Sequence, residues 1–98
     1  MKKKGNMDIL YTEAGDVYSI ADMQRDIQSD MVAKYKSLRK AQKITQIKLA
    51  QITGIPQPNI TRFESDESNP TLEMLVKMAA ALGNKVTISF EPMYEESK

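Results

Sequence analysis

The chain has 98 residues, enough for one ordinary domain and too few for two hydrophobic cores. Hydrophobic residues make up 41% and charged residues 28%, which is typical of a folded chain rather than a disordered one. Because His and Cys are absent, histidine bases, cysteine nucleophiles, disulfides and His/Cys zinc sites are excluded. No apolar run approaches a membrane span or a signal-peptide core, so we expect a cytoplasmic protein.

The net charge of +1 conceals charges that are sorted along the chain. Residues 1–7 carry +3, residues 8–30 carry −5 and residues 63–98 carry −4. Between them, residues 31–62 hold seven basic side chains and no Asp or Glu. Such a segment favours a polyanionic partner, although a basic run can also be only a solvated surface.

The first predicted elements are a short strand and a long amphipathic helix. Residues 7–11 alternate in hydropathy and are followed by a turn over residues 13–16, which predicts a strand. Ser19 then resembles a helix cap, and apolar residues recur every three or four positions to about Gln42. Because Ser29-Asp30 offers a second cap, we favour a break that divides this stretch into two helices.

Three shorter elements are predicted next. Thr45 caps a helix over residues 46–53 that Gly54 ends, and a second helix runs from Gln57 to Ser65. After a polar loop, Thr71 caps a last helix that Gly83 ends. Its predicted buried stripe consists of Leu72, Leu75, Val76, Ala79 and Leu82.

The C-terminal segment predicts a lone strand, since Val86, Ile88 and Phe90 alternate with polar residues. A single strand leaves backbone N–H and C=O groups unpaired and therefore needs a neighbour. That neighbour can be residues 7–11 of the same chain, the same strand of a second copy, or an edge strand of a different protein. The last two alternatives would make Val86, Ile88 and Phe90 an interface.

The order of residues from Leu38 to Gly83 resembles the Xre, lambda-repressor-like helix-turn-helix family, over about half of the chain. The matching positions are Thr45-Gln46, Leu49-Ala50, Gly54-Ile55, Gln57, Ile60, Arg62, Glu64, Pro70, Leu72 and Leu82-Gly83. The resemblance implies a mainly α bundle of about five helices with a short C-terminal strand, and it implies sequence-specific binding of double-stranded DNA. It divides the chain into residues 1–30 as a partner or dimer arm, 31–83 as the DNA-binding domain, and 84–98 as strand and tail.

The spacing within this stretch has a physical basis. Ala50 is small enough for two helices to approach closely, and Gly54 permits the tight turn between them. An α-helix fits the DNA major groove, where Gln and Asn can pair with adenine and Arg with guanine. We expect the exposed, acid-free side of the second helix to read bases through Gln57, Pro58, Asn59, Thr61 and Arg62.

The resemblance also assigns roles beside the second helix. It implies phosphate contacts by Lys43 and Gln46, next to the helix N-terminus that Thr45 caps. It implies a structural ion pair between Arg39 and Glu64, with no catalytic role for either residue. Two acids, Asp66 and Glu67, follow the second helix and should weaken its phosphate contacts. Because a single copy would then bind DNA weakly, we expect a homodimer whose two copies bind a palindromic operator together.

Size, the acidic N-terminal stretch, the Gln57-Pro58 pair and the C-terminal strand are similar to HigA-type antitoxins of type II toxin-antitoxin modules. Toxins of that family are usually small, basic RNases. The resemblance implies that residues 8–30 bind a basic toxin through charge and through Ile20, Met23 and Ile27, while the helix-turn-helix represses the module's operon. The three apolar residues could equally pack on the domain's own core.

Two other classes of function are a free-standing repressor and an enzyme. A free-standing Xre-type repressor without a toxin partner would use the same DNA-binding residues. An enzyme is not expected, because Asp22, Asp26 and Asp30 line one helix without a second element that supplies metal ligands. We therefore expect no catalytic residue, no metal, no cofactor and no membrane partner.

Overall fold

A computed structural model describes residues 7–11 and 13–93 of the chain. The lysines at positions 2–4 and the polar tail after residue 93 lie outside the described residues. The fold is mainly α, as the sequence predicts, with a small hairpin in front of four helices. The elements in chain order are β1 (Ile9–Tyr11), β2 (Val17–Ser19), α1 (Ile20–Ala41), α2 (Gln46–Thr53), α3 (Gln57–Glu64) and α4 (Leu72–Ala81).

The two strands form an antiparallel hairpin in which Ile9 lies opposite Ser19 and Tyr11 lies opposite Val17. Gly15, with a φ of 94°, lies in the connection between the strands. The first strand was predicted, but its partner β2 was not. Pairing of residues 7–11 with the C-terminal segment is therefore wrong for this chain, since the local hairpin has the shorter loop to close.

Helix α1 runs without interruption for 22 residues, so the predicted break at Ser29-Asp30 is wrong. Neither residue withdraws from the helix to act as a cap. The Asp30 carboxylate instead lies 3.1 Å from Lys34 Nζ, an i,i+4 ion pair that supports the continuous helix. The helix begins where predicted, because the Ser19 hydroxyl accepts a hydrogen bond from the Asp22 N–H at 3.2 Å. One continuous α1 leaves four helices in the described chain, not about five.

The remaining helix ends follow local capping chemistry, as predicted. Thr45 Oγ1 accepts from the Lys48 N–H and Thr71 Oγ1 accepts from the Met74 N–H, each at 3.0 Å. Gly54 ends α2 with a φ of 80°, a conformation in which a residue with a Cβ would be strained. The short turn that follows brings α3 back against α2, and this arrangement exposes one side of α3.

The core lies where α1, α2, α3 and α4 meet. Ile60 and Phe63 of α3 are fully buried, and the ring of Phe63 meets Tyr35 edge-on with 5.2 Å between centroids. The predicted stripe of α4 is wrong in part, because Leu72 and Val76 are 59% and 49% exposed, whereas Met78, which was not predicted, is buried. The buried apolar residues are Val32, Tyr35, Leu49, Ile55, Ile60, Phe63, Met78 and Leu82.

Residues 84–93 form neither strand nor helix. Val86, Ile88 and Phe90 are all exposed, and the Phe90 side chain is 94% accessible. The predicted strand is therefore not formed within the described chain, because β1 pairs with β2 and offers this segment no bonded neighbour. Pairing with a second copy or with another protein stays a prediction.

None of the helices in the described part of the chain is long and apolar enough to cross a membrane.

Candidate DNA-binding surface

The first turn of α2 and the exposed side of α3 form one continuous polar surface. Gln57, Thr61 and Arg62 are exposed on α3, while Gln46, at the first position of α2, is half-buried between the two helices. Buried Ile60 and Phe63 fix the opposite side of α3 in the core. The orientation of the polar side is therefore determined by the packing of the helix.

Gln46 links the two helices through its side-chain amide. Its Oε1 accepts a hydrogen bond from Thr61 Oγ1 at 2.8 Å and lies 3.5 Å from Gln57 Nε2. Its Nε2 donates to Glu64 Oε1 at 3.0 Å. Three predicted DNA-binding residues, Gln46, Gln57 and Thr61, are thus brought together.

Asn59 and Arg62 form a second pair one turn apart on α3. Arg62 Nη2 donates to Asn59 Oδ1 at 2.8 Å. The pairing orders an exposed guanidinium before any ligand is bound, which lowers the entropy cost of binding. An Arg held in this way presents its remaining N–H donors to solvent, where a guanine edge or a phosphate can accept them.

The other predicted residues lie at the border of this surface. Lys43 is exposed in the turn before α2 with a φ of 60°, and the side chain of Thr45 is occupied as the α2 cap. Pro58 is in the first turn of α3, whose N-terminus after Pro56 has no side-chain cap. No capping side chain therefore bonds to the backbone N–H of Gln57. The N-terminus of a helix favours anions, so this N–H is placed to bind one.

A buried ion pair lies directly beneath the surface. Arg39 and Glu64 have side chains only 10% and 6% exposed, and Arg39 Nη2 lies 2.7 Å from Glu64 Oε1. Arg39 Nε donates to Glu64 Oε2 at 2.8 Å, so the pairing is bidentate, and Nη1 donates to the Ile44 carbonyl. Tyr35 donates its hydroxyl to Glu64 Oε2 at 2.7 Å. Every polar atom of this carboxylate is satisfied, as burial of a charge requires.

The pKa values of the three ionisable groups in this network move in the directions that keep the pair charged. Burial alone would raise the pKa of Glu64, but the hydrogen bonds that its carboxylate accepts, led by those from Arg39 and Tyr35, outweigh burial and lower it. The hydrogen bond to Glu64 raises the pKa of Arg39. Burial raises the pKa of Tyr35, and the bond to Glu64 adds to that rise.

We expect Glu64 to make the stability of the fold depend on pH. Its pKa is lower in the folded chain than in the unfolded one, so between those two values the unfolded state binds more protons. The stabilisation is fully present above the unfolded pKa, about 4.3, and is lost as pH falls through the folded value. In urea titrations, the free energy of unfolding of the wild-type chain should therefore lose its advantage over that of Glu64→Gln as the pH falls below the unfolded pKa, about 4.3.

The matched control is Glu73→Gln, which removes an exposed carboxylate that lies 3.1 Å from Lys77 Nζ. Because exposed ion pairs contribute little, its effect on unfolding should be small at every pH. If the difference in free energy of unfolding between wild type and Glu64→Gln does not change with pH, the buried network does not hold the carboxylate ionised.

The predicted partner-interface residues divide into two places. Ile20, Met23 and Ile27 line one apolar groove between the first half of α1 and the start of α4, completed by Met31, Pro70 and Leu75 among others. This groove has a volume of about 470 Å³. The second group, Val86, Ile88 and Phe90, lies in the exposed segment after α4 and does not line the groove.

Two features of the site were not found from the sequence. The first was Tyr35, which was not predicted as a site residue, although its i,i+4 spacing to Arg39 places both on one face of α1 and was a usable signal. The second was the link from Glu64 through Gln46 to Thr61, which joins the start of α2 to two positions on α3. No local pattern reports a hydrogen bond between residues 18 positions apart.

Comparison with known proteins agrees with this geometry. The helix-turn-helix family profile matches residues 36–88, more than half of the chain. The chain therefore belongs to the Xre-like helix-turn-helix family of DNA-binding transcription regulators. It is 42% identical over 45 residues to an uncharacterized HTH-type transcriptional regulator of Haemophilus influenzae, which covers 46% of either protein. It is 35% identical over 54 residues to the immunity repressor protein of Bacillus phage phi105, over 55% of this chain and 38% of the repressor.

Among solved structures, the fold is similar to a chain of a toxin-antitoxin module from Streptococcus pneumoniae. The TM-score is 0.61 at 25% identity, over 76% of this chain and 83% of that one. The similarity therefore extends well beyond the helix-turn-helix itself. The chain spans less than half of the length of the two curated relatives.

Proposed function

We propose that this chain is a sequence-specific operator-binding repressor that also neutralises a basic toxin, as the antitoxin of a type II toxin-antitoxin module. The observation that carries the DNA-binding part is the ordered polar surface of α2 and α3. It carries amides, hydroxyls and a guanidinium, and it lies within a stretch, residues 31–62, that contains no carboxylate.

The side chains of this surface divide by chemistry into base and phosphate contacts. Gln57 and Asn59 can pair with adenine, and Arg62 can pair with guanine, when α3 lies in the major groove. Thr61 and Pro58 give the adjacent apolar and hydroxyl contacts. Lys43 and Gln46, with the N-terminus of α2 that Thr45 caps, contact the phosphate backbone and fix the register.

A homodimer is part of the proposal, since two copies of α3 one DNA turn apart, about 34 Å, would read the halves of a palindrome. The exposed apolar side chains after α4 support the C-terminal segment as the dimer contact. Pairing with its symmetry mate would satisfy backbone groups that have no strand partner within the described chain.

Deleting residues 86–90 tests this contact. We expect the deletion to convert a dimer into a monomer, or to abolish partner binding, while helix content is unchanged, because these residues lie outside the core. Analytical ultracentrifugation and circular dichroism report the two quantities separately. A truncated chain with the oligomeric state and helicity of the wild type would show that the segment is not the dimer contact.

The groove on α1 supports binding of a basic partner. Ile20, Met23 and Ile27 offer apolar contacts, and Ile27 is 66% exposed although it is a large apolar residue. By helical geometry, Asp26 and Asp30, of which Asp30 is paired with Lys34, follow the flank of α1 beside Met23 and Ile27. An apolar groove with an acidic border complements a basic amphipathic surface. The similarity to a chain of the pneumococcal module supports the same assignment.

Ile27→Lys tests the groove with little risk to the fold, since the side chain is mostly exposed. A lysine here would face a basic partner, so we expect affinity for the partner to fall by about tenfold, near 1.4 kcal/mol. DNA binding should be unchanged. The matched control is Ala33→Lys, which adds the same charge at an exposed position of α1 outside the groove. Equal losses for both variants would refute contact at the groove.

The antitoxin role as a whole is tested by co-expressing the tagged chain with the product of the adjacent gene. We expect a stoichiometric complex, and we expect that product alone to arrest growth unless this chain is present. A harmless neighbour that does not co-purify would contradict the antitoxin role and leave operator binding as the function.

That outcome would favour a free-standing Xre-type repressor without a toxin partner. The similarity to the phage phi105 immunity repressor protein over 54 residues supports this second candidate. Both candidates use the same DNA-binding surface, so only the partner experiment separates them.

A further inference from the structure

The carboxylate of Glu64 faces two ways, toward the buried ion pair and toward the polar surface. Its Oε2 accepts from Tyr35 and from Arg39 Nε. Its Oε1 accepts from Arg39 Nη2 at 2.7 Å and from Gln46 Nε2 at 3.0 Å. One oxygen is thus in direct contact with a residue of the polar surface.

An ionised carboxylate can only accept hydrogen bonds, so it selects the NH₂ end of the Gln46 amide. The opposite end, Oε1, must then point toward α3, where it accepts from Thr61 Oγ1 at 2.8 Å. The Gln57 Nε2 atom lies 3.5 Å from the same oxygen. The order of donors and acceptors on the surface therefore follows from one buried charge.

We propose that Glu64 is a positioning residue for DNA recognition, which fixes the amide orientation of Gln46 and through it the side chains of Thr61 and Gln57. This inference rests on the proposed operator binding. Without the carboxylate, the Gln46 amide could turn by half a rotation, because an amide offers a donor and an acceptor of nearly equal size. A rotated Gln46 would present a donor where Thr61 and Gln57 now find an acceptor.

The bidentate geometry of the Arg39–Glu64 ion pair supports this positioning role. Arg39 contacts both oxygens of Glu64, which fixes the plane of the carboxylate as well as its position. Oε1 is thereby held toward α2 even if one contact to Oε2 is lost. Tyr35, which contacts Oε2 only, is expected to stabilise the network without orienting Gln46.

The test is a double-mutant cycle on the DNA duplex that the wild-type chain enriches from a random-sequence pool. Glu64→Gln should weaken binding of that duplex by about tenfold, the loss expected for one or two misoriented hydrogen bonds. In a Gln46→Ala background the same substitution should cost less than about twofold, because the group that it orients is gone. Binding is measured where circular dichroism shows all variants folded.

Tyr35→Phe is the matched control within the same network. It removes a hydrogen bond to the other oxygen, so it should lower the urea midpoint of unfolding and leave DNA affinity within about twofold of wild type. Equal losses from Glu64→Gln with and without Gln46 would overturn the positioning role, as would a Tyr35→Phe loss as large as that of Glu64→Gln. A wild-type chain that enriches no duplex would overturn the proposed operator binding itself.

A measurement on the unmodified chain covers the case in which Glu64→Gln does not fold. In NMR spectra of the free protein, the Gln46 Nε2 hydrogens should show contacts to the Arg39 guanidinium, since both groups bond to Glu64 Oε1. Contacts of those hydrogens to Thr61 alone would mean the opposite amide orientation and would contradict the proposal.

Discussion

Replacing Arg39 with Met is expected to lower the free energy of unfolding by about 3 to 5 kcal/mol, the largest effect of any substitution considered for this chain. The substitution removes three hydrogen bonds at once and leaves the Glu64 carboxylate buried without its cation. Since the free energy of unfolding of small domains is only about 5 to 15 kcal/mol, the variant should lose a large part of its stability. Urea titration followed by circular dichroism measures the loss.

Two comparisons show whether the buried charge is the cause. Lys40→Met changes the exposed neighbour of Arg39 and should shift the unfolding free energy by no more than about 0.5 kcal/mol. Adding Glu64→Leu to Arg39→Met should recover part of the lost stability, because no unpaired charge is then buried. An Arg39→Met chain within about 1 kcal/mol of wild type would show that the ion pair is not what holds α1 and α3 together.

Arg62→Ala is expected to weaken operator binding by about 1 to 3 kcal/mol and to relax the preference for one base pair. The Arg62 side chain is exposed and its described hydrogen bond, to Asn59, is exposed as well, so the stability of the fold should be unchanged. A loss of affinity would then report on recognition and not on folding. Fluorescence anisotropy with the selected duplex and its single-base variants measures both effects.

The matched control is Arg25→Ala, which removes the same charge from an exposed position on α1, where the guanidinium lies 2.9 Å from Asp22. Because both substitutions lower the net charge by one, a loss of DNA affinity from Arg62→Ala alone reports a local contact, whereas equal losses report a general electrostatic effect. We expect its effect on DNA affinity to be small. Unchanged affinity for Arg62→Ala, or an equal loss for Arg25→Ala, would exclude base reading by this residue.

The helix ends were predictable because their causes are local. Thr45, Thr71 and Gly54 act on backbone groups within a few residues, and the structure confirms each of them. The break predicted at Ser29-Asp30 was wrong for a related reason. The same side chain that can cap a helix can also support its interior, and the ion pair with Lys34 favours the second role.

Non-local features were harder to predict. β2 has three residues, too few for a periodic pattern, so the hairpin partner of β1 was missed. The face of α4 was misassigned because Leu72 is as apolar as Met78, and only the packing against α1 and α2 decides which is buried. The segment with Phe90 carries a strand pattern, but it pairs with no strand within the described residues.

Most of the residues that form the candidate site could be predicted from the sequence, but the hydrogen bonds between them could not. Family resemblance named Gln46, Gln57, Arg62 and the Arg39–Glu64 pair. It gave no indication that one oxygen of Glu64 contacts Gln46, because that contact depends on how α2 and α3 meet in space. The buried ion pair and the polar surface are therefore joined by a hydrogen bond. For a substitution in either of them, both the free energy of unfolding and the affinity for DNA should be measured.

The most direct test of operator binding is methylation protection of guanine N7 on the promoter DNA of the gene for this chain. Guanine N7 lies in the major groove, where α3 is proposed to bind. We expect wild-type protein to protect two clusters of guanines about one DNA turn, roughly 34 Å, apart, and Arg62→Ala to lose protection at one position in each cluster. Binding without any protection of guanine N7 would contradict insertion of α3 into the major groove.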